Sequence, residues 1–207
     1  MQICCTISQL GHGYGGRSLF ESLDAVAKSG CIHLVSGANG SGKSTFLRIL
    51  SGALEPEKGR LQYQVNGKQL SQDDIWKEIA LVAPYQELPE EFSTAELMEF
   101  QMQLTGTSAN NQSYRSLAGY FGLSEVLHKP IREFSTGMKQ KARFVLALGT
   151  GRRIWLLDEP GSNLDASSVS LLHAFLQQSC RENLIILASN DARELALGEK
   201  LFAFEGR

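Results

Sequence analysis

The sequence has no apolar stretch approaching the ~20 residues that a membrane-spanning helix needs. Its longest, such as Phe144 to Leu148, are far shorter. If the protein acts at a membrane, the spanning part is expected on another chain. The start, Met1-Gln2-Ile3-Cys4, carries neither a basic segment nor a long apolar one, so no signal peptide is expected. Cysteine is sparse: Cys4, Cys5, Cys31 and Cys180, with no C-x-x-C pair. Adjacent Cys4 and Cys5 would point to opposite faces of a strand, and all four are expected as reduced, partly buried thiols of a cytosolic protein. Positive charge is not in excess. Lys and Arg total 20 against 22 Asp and Glu, and with a formal net charge of -2 a broad nucleic-acid-binding surface is not indicated. No internal repeat or low-complexity tract is visible. A hydrophobic share of 43% with 20% charged residues is that of an ordinary soluble globular chain. The 207 residues suffice for one large domain, or a domain with a small lobe.

What is present is organised around Gly37-Ala38-Asn39-Gly40-Ser41-Gly42-Lys43-Ser44-Thr45, which fits the phosphate-loop pattern G-x-x-x-x-G-K-[ST] at every fixed position. An apolar run, Cys31 to Val35, leads in, and a helical pattern, Phe46 to Leu50, leads out. This strand–loop–helix context is what the motif requires. Glycines open backbone angles closed to other residues, so successive N–H groups can turn inward on an anion at a helix start. Lys43 supplies a mobile positive charge for the outer phosphates, and Ser44 a hydroxyl for the accompanying magnesium ion.

Along the chain, Ile3 to Leu10 is expected as a strand, His12 to Gly16 as a turn, and Leu19 to Ala27 as a second apolar segment. Arg60 to Val65 alternates like a half-buried strand and meets the hairpin signal Asn66-Gly67. Ile79 to Ala83 is a short buried strand stopped by Pro84, with Gln86 just beyond. From Ser93 the period becomes helical: Ser93 or Thr94 caps one helix through Leu104, and Ser113 to Phe121 forms another. Residues 88 to 134 are expected as a helical lobe. Ser135-Thr136-Gly137-Met138 opens a further helix through Leu148, and Ser167 to Cys180 forms the next. Ile154 to Leu157, Leu184 to Ala188 and Leu201 to Phe204 are strand candidates. Strands alternating with helices indicate a largely parallel, covered sheet. His33, Trp76 and Trp155 are expected to be structural, and Arg152-Arg153 a solvated loop pair.

Asp158 closes the apolar strand Ile154 to Leu157, at the strand end where ligands bind in such sheets. It would hold magnesium through water while Ser44 holds it directly, and Glu159 is placed to act as general base for an attacking water.

Taken together these motifs resemble the ATP-binding subunits of ABC transporters, in order and over nearly the whole chain, from about Tyr14 to Asp191. Gln86 resembles the Q-loop glutamine, Ser135 to Met138 the signature, Leu156 to Pro160 the Walker B strand with its catalytic glutamate, and Ser162-Asn163-Leu164-Asp165 the D-loop. The resemblance implies an α/β phosphate-loop NTPase core of ABC type with an antiparallel β subdomain and an inserted helical subdomain. The core and β subdomain would take residues 1–87 and 135–207, and the helical subdomain residues 88–134. It implies ATP and Mg2+ as ligands, Gln86 as a sensor of magnesium, water and permease, and Tyr14 as the aromatic that stacks on adenine, with His12 a nearby alternative. It implies that Ser135 and Gly137 close over a nucleotide held by a second subunit. The partners implied are a homodimer or pseudo-dimer mate and a transmembrane permease. The membrane is then reached only through the permease, at the cytoplasmic face, and nucleic acid is not a partner.

Two positions depart from the family pattern. The signature reads F-S-T-G-M instead of L-S-G-G-Q, and its ending G-M-K-Q, Gly137 to Gln140, is similar to that of export-type subunits. At the end of the last buried strand Asn190 stands where the family has its switch histidine. Its amide can donate a hydrogen bond to the γ-phosphate but cannot carry charge, so slower hydrolysis is expected. Export is the favoured direction. A haem-exporter-like subunit of cytochrome maturation is the nearest specific alternative. A non-transport ATPase driving a cytosolic assembly and a regulatory nucleotide-binding module are the others.

Overall fold

A computed structural model describes residues 2–105 and 111–204. Met1, residues 106–110 of the expected helical lobe, and residues 205–207 lie outside them. The chain divides into two compact units, one of residues up to 81, 153–159 and from 173 onward, the other of residues 82–152 and 160–172.

The first unit holds two sheets. In the antiparallel one, β1 (Ile3–Tyr14) lies between β2 (Arg17–Lys28) and β4 (Lys58–Val65), and β5 (Lys68–Gln69) extends the edge after the Asn66-Gly67 turn. Ile3, Cys5 and Ile7 are buried at every second position, the period of a strand with one covered face. Cys4 lies opposite and is half-buried, and all four cysteines are free thiols. The expected turn at His12 to Gly16 is corrected: β1 continues through Tyr14, and only Gly15-Gly16 turn. Strand pairing at Gly13 demands a residue without a side chain, because a Cβ there would lie 2.4 Å from the Arg17 carbonyl oxygen.

The second sheet has the order β6-β7-β8-β3-β9, formed by Ile79–Val82, Ile154–Asp158, Leu184–Ser189, Ile32–Gly37 and Glu199–Phe204. β7 and β8 are buried at every position, as expected of parallel strands covered on both faces. Register pairs Asp158 with Ala188 and Ser36 with Ser189. The carboxyl ends of β3, β7 and β8 therefore finish at one edge. Helix α1 (Lys43–Leu50) buries Phe46, Leu47, Ile49 and Leu50, each contributing about 1.5–3 kcal/mol of burial. The Phe46 ring meets Phe20, Phe202 and Phe204 edge-on at 5.9, 5.4 and 5.6 Å. The Tyr63 hydroxyl donates to the Leu50 carbonyl at 2.7 Å and so satisfies the end of α1. A helix not anticipated from the sequence, α2 (Gln72–Glu78), precedes β6, and its Trp76 is 56% exposed, where a packing role was expected. Trp155 is buried and stacks on Phe175 at 5.7 Å. His33 Nε2 lies 2.9 and 2.8 Å from the Lys28 main-chain N and O, a structural role.

The second unit is built on α3 (Thr94–Thr105), α4 (Asn111–Tyr120) and α5 (Thr136–Leu148). Ser93 and Glu96 form a reciprocal capping box at the start of α3. The Ser93 hydroxyl accepts from the Glu96 N–H at 3.2 Å, and the Ser93 N–H donates to the Glu96 carboxylate at 2.7 Å. Phe121 stacks on Phe144 at 5.5 Å, joining the end of α4 to α5. Helix α6 (Ala166–Ser179) begins in this unit and ends in the first.

Candidate active site

The loop between β3 and α1 turns through Gly42, whose φ of 104° sets the start of the helix without any side-chain cap. The helix therefore begins with open N–H groups and a positive dipole end. The Lys43 side chain is only 5% exposed. Its ammonium donates to the Gly37 carbonyl at 2.7 Å and the Ala38 carbonyl at 3.1 Å, and lies 3.8 Å from Glu159 Oε1. Ser41 is buried with its hydroxyl unpartnered among the described residues, while Ser44 is exposed and Thr45 half-buried.

Asp158, at the end of β7, is 2% exposed, and its Oδ2 has no hydrogen-bond partner among the described residues. Burial pushes its carboxyl above the ordinary carboxylate range, the Ser44 hydroxyl and the Lys43 charge pull it back, and neighbouring Glu159 raises it further. A buried acid with a spare oxygen, a hydroxyl beside it and open N–H groups at a helix start form a donor set that fits a divalent cation held beside phosphates. Glu159 itself sits in a left-handed conformation, φ 45°, with its N–H donating to the Ala188 carbonyl at 2.8 Å. Asn190 donates to Asn39 Oδ1 at 2.9 Å, which joins the end of β8 to the phosphate loop. Asp191 pairs with Arg193 at 2.6 Å, and the guanidinium holds its carboxyl down at about 2.

At the hairpin tip Tyr14 is 53% exposed, and His12 meets its ring edge-on at 5.0 Å. His12 pairs with Phe20, so both lie on one face of the sheet; Phe20 approaches to 3.5 Å of where a Gly42 Cβ would stand. Gly37, Asn39, Gly40, Ser41, Gly42, Lys43, Ser44, Thr45, Asp158, Glu159, Asn190 and Tyr14 thus all belong to the first unit.

In the second unit Ser135 is the N-cap of α5, accepting from the Met138 N–H at 3.2 Å. Gly137 lies against the Asn163 main chain, where a Cβ would stand 3.0 Å from the Asn163 oxygen. The Gln86 side chain accepts from the Ala83 N–H at 3.0 Å, and its own carbonyl accepts from Arg143 Nε at 2.8 Å. Sequence reasoning gave Arg143 and Gln140 no role. Arg143 belongs to no motif, Gln140 closes the G-M-K-Q run that was read only as part of the signature, and their partners are 57 and 20 positions away.

Three comparisons bear on this arrangement. The ABC transporter family model matches residues 20–162. The cytochrome c biogenesis ATP-binding export protein CcmA of Cupriavidus necator is 31% identical over 185 residues, 89% of this chain and 82% of that protein. The lantibiotic transport ATP-binding protein SrtF of Streptococcus pyogenes is 26% identical over 89% of this chain and 78% of that one. A solved structure of an ATP-binding subunit of an ABC transporter superposes with a TM-score of 0.82 at 25% identity, covering 94% of this chain and 82% of its own.

Proposed function

The chain belongs to the ABC transporter family as an ATP-binding, ATP-hydrolysing subunit, and on that premise we propose which residues carry the reaction. The observation that carries the assignment is the meeting of Lys43, Asp158 and Glu159. One buried ammonium lies 3.8 Å from the Glu159 carboxylate, and a buried Asp158 oxygen beside them has no hydrogen-bond partner among the described residues. Lys43 and the N–H groups from Gly40 to Thr45 bind the phosphates, with Gly37, Asn39 and Ser41 shaping the loop. Glu159 takes the proton of a water that attacks the γ-phosphorus, and the bond to the ADP oxygen breaks. Ser44 and Asp158 would hold magnesium, which would neutralise charge on the phosphate oxygens. Asn190 contacts the γ-phosphate, and Tyr14 stacks on the base.

Ser135 and Gly137 complete the site of a second subunit, so the working form is a dimer closed around two nucleotides. A separate permease turns its closing and opening into transport at the cytoplasmic face of the membrane. Among the described residues no helix is long and apolar enough to cross a membrane. An export role of the cytochrome c biogenesis kind is the specific form favoured, because the relative at 31% identity carries that description.

The test is magnesium-dependent ATP hydrolysis by the purified chain beside Glu159→Gln, with dimerisation followed on the same samples. The expected result is turnover by the wild type, and none by the variant, which nevertheless dimerises with ATP. Equal turnover by both would overturn the assignment of Glu159.

A further inference from the structure

Within the second unit two side chains of one helix tie three segments together. Gln140, on α5, is fully buried. Its Nε2 donates to the Pro160 carbonyl at 3.0 Å, and its Oε1 accepts from Arg143 Nη1 at 2.9 Å. Arg143 Nε, in turn, donates to the Gln86 carbonyl at 2.8 Å. The result is an unbroken chain of three hydrogen bonds from the backbone of Gln86 to the backbone of Pro160, through one turn of a helix. Two of the three are charge-assisted and share one planar guanidinium, which fixes their relative direction.

Pro160 follows Glu159, the residue with φ 45°. A left-handed backbone is unfavourable for a side-chain-bearing residue, and a following proline restricts it further. Such a conformation persists only where the surroundings hold it on both sides. On one side the Glu159 N–H is bound to the Ala188 carbonyl. On the other, the Pro160 carbonyl is bound to Gln140.

We propose that Gln140 and Arg143 are a positioning pair for hydrolysis: they hold the backbone that carries Glu159 and register it to the main chain at Gln86. The inference rests on Glu159 as the base. Neither residue touches nucleotide. The bond from Gln140 holds the Pro160–Gly161 peptide, directly after the residue that carries the reacting carboxylate, and the Arg143 guanidinium holds Gln140 in turn. The phosphate loop is outside this chain of bonds. Loss of either residue therefore slows the chemical step and leaves nucleotide binding alone.

The experiment measures kcat and KM for ATP in the full chain for Arg143→Ala, Gln140→Met, their double variant and Arg143→Lys, with Glu159→Gln alongside. Gln140→Met keeps length and removes both amide bonds, and it decides the matter if Arg143→Ala does not fold. Each single variant is expected to lower kcat by about tenfold or more, since small displacements of a reacting group cost that much, with KM within about twofold of wild type. The double variant is expected to be no worse than the more severe single one, because both break one chain. Arg143→Lys is expected to stay low, since a single ammonium cannot reproduce the fork. Wild-type kcat in Gln140→Met, full rescue by lysine, or losses that multiply in the double variant would each overturn the proposal. Persistent turnover in Glu159→Gln would instead overturn the base assignment, a separate failure.

Discussion

Asn190 and Asn39, 151 positions apart, share a 2.9 Å hydrogen bond from one carboxamide to the other. The residue at the switch position is thereby engaged with the phosphate loop through a group that never titrates. Replacing it with histidine should raise kcat by about tenfold, roughly 1.4 kcal/mol of barrier. It should also add to the pH profile a titration near the ordinary imidazole range of ~6.5, absent from the wild type. Steady-state turnover between pH 5.5 and 8.5 checks both. Unchanged turnover in Asn190→His would count against a limiting role for the asparagine.

Asp158 keeps a buried oxygen without a hydrogen bond among the described residues. Asp158→Asn should stabilise the metal-free fold by on the order of 1 kcal/mol, since a buried charge with one oxygen left unbonded is removed. The same change should abolish the dependence of ATP affinity on magnesium. Thermal melting with and without magnesium and ATP reads both effects. The wild type alone should gain stability when the two are added together.

Gly137 faces the Asn163 carbonyl at a distance where a Cβ would stand 3.0 Å away, and Asn163 is itself left-handed at φ 64°. Gly137→Ala forces one of them to move. ATP-dependent dimerisation, followed by gel filtration or light scattering, should fall by about tenfold. Nucleotide binding by the isolated chain, titrated with a fluorescent ATP analogue, should be unchanged.

Asp165 accepts from the Ser168 N–H at 2.7 Å and the Ser167 hydroxyl at 2.6 Å, capping the start of α6. The hydroxyl and the amide hold its carboxyl down at about 2. A depressed carboxylate stabilises the fold above its unfolded value and loses that contribution as pH falls through the folded one. Asp165→Ala should therefore melt below the wild type at neutral pH, and the gap should narrow as the pH is lowered from about 4 toward 2. Asp165→Asn, which keeps an acceptor, should fall between them.

Much of this was readable in advance where the signal was local. The phosphate loop is contiguous, and the strand ending in Asp158 is an apolar run with a charge at its close. Both landed at one sheet edge because parallel strands put their carboxyl ends together. The end of β1 was misread because Gly11, Gly13, Gly15 and Gly16 surround His12 and Tyr14 and mimic a turn. Close pairing with β2 is what required Gly13. Helix α2 escaped notice because Gln72-Asp73-Asp74-Ile75-Trp76-Lys77-Glu78 is short and carries no apolar stripe. The link from Gln86 through Arg143 and Gln140 to Pro160 joins residues with no common spacing, and only the folded chain brings them together.

Lys43 is bound to Gly37 and Ala38 by the same three-donor head that the outer phosphates need. Two of its three N–H donors are spent on the loop's own carbonyls, so the backbone that the phosphates approach also fixes the charge that meets them. Incoming nucleotide then finds the ammonium already placed and does not have to order a slack segment.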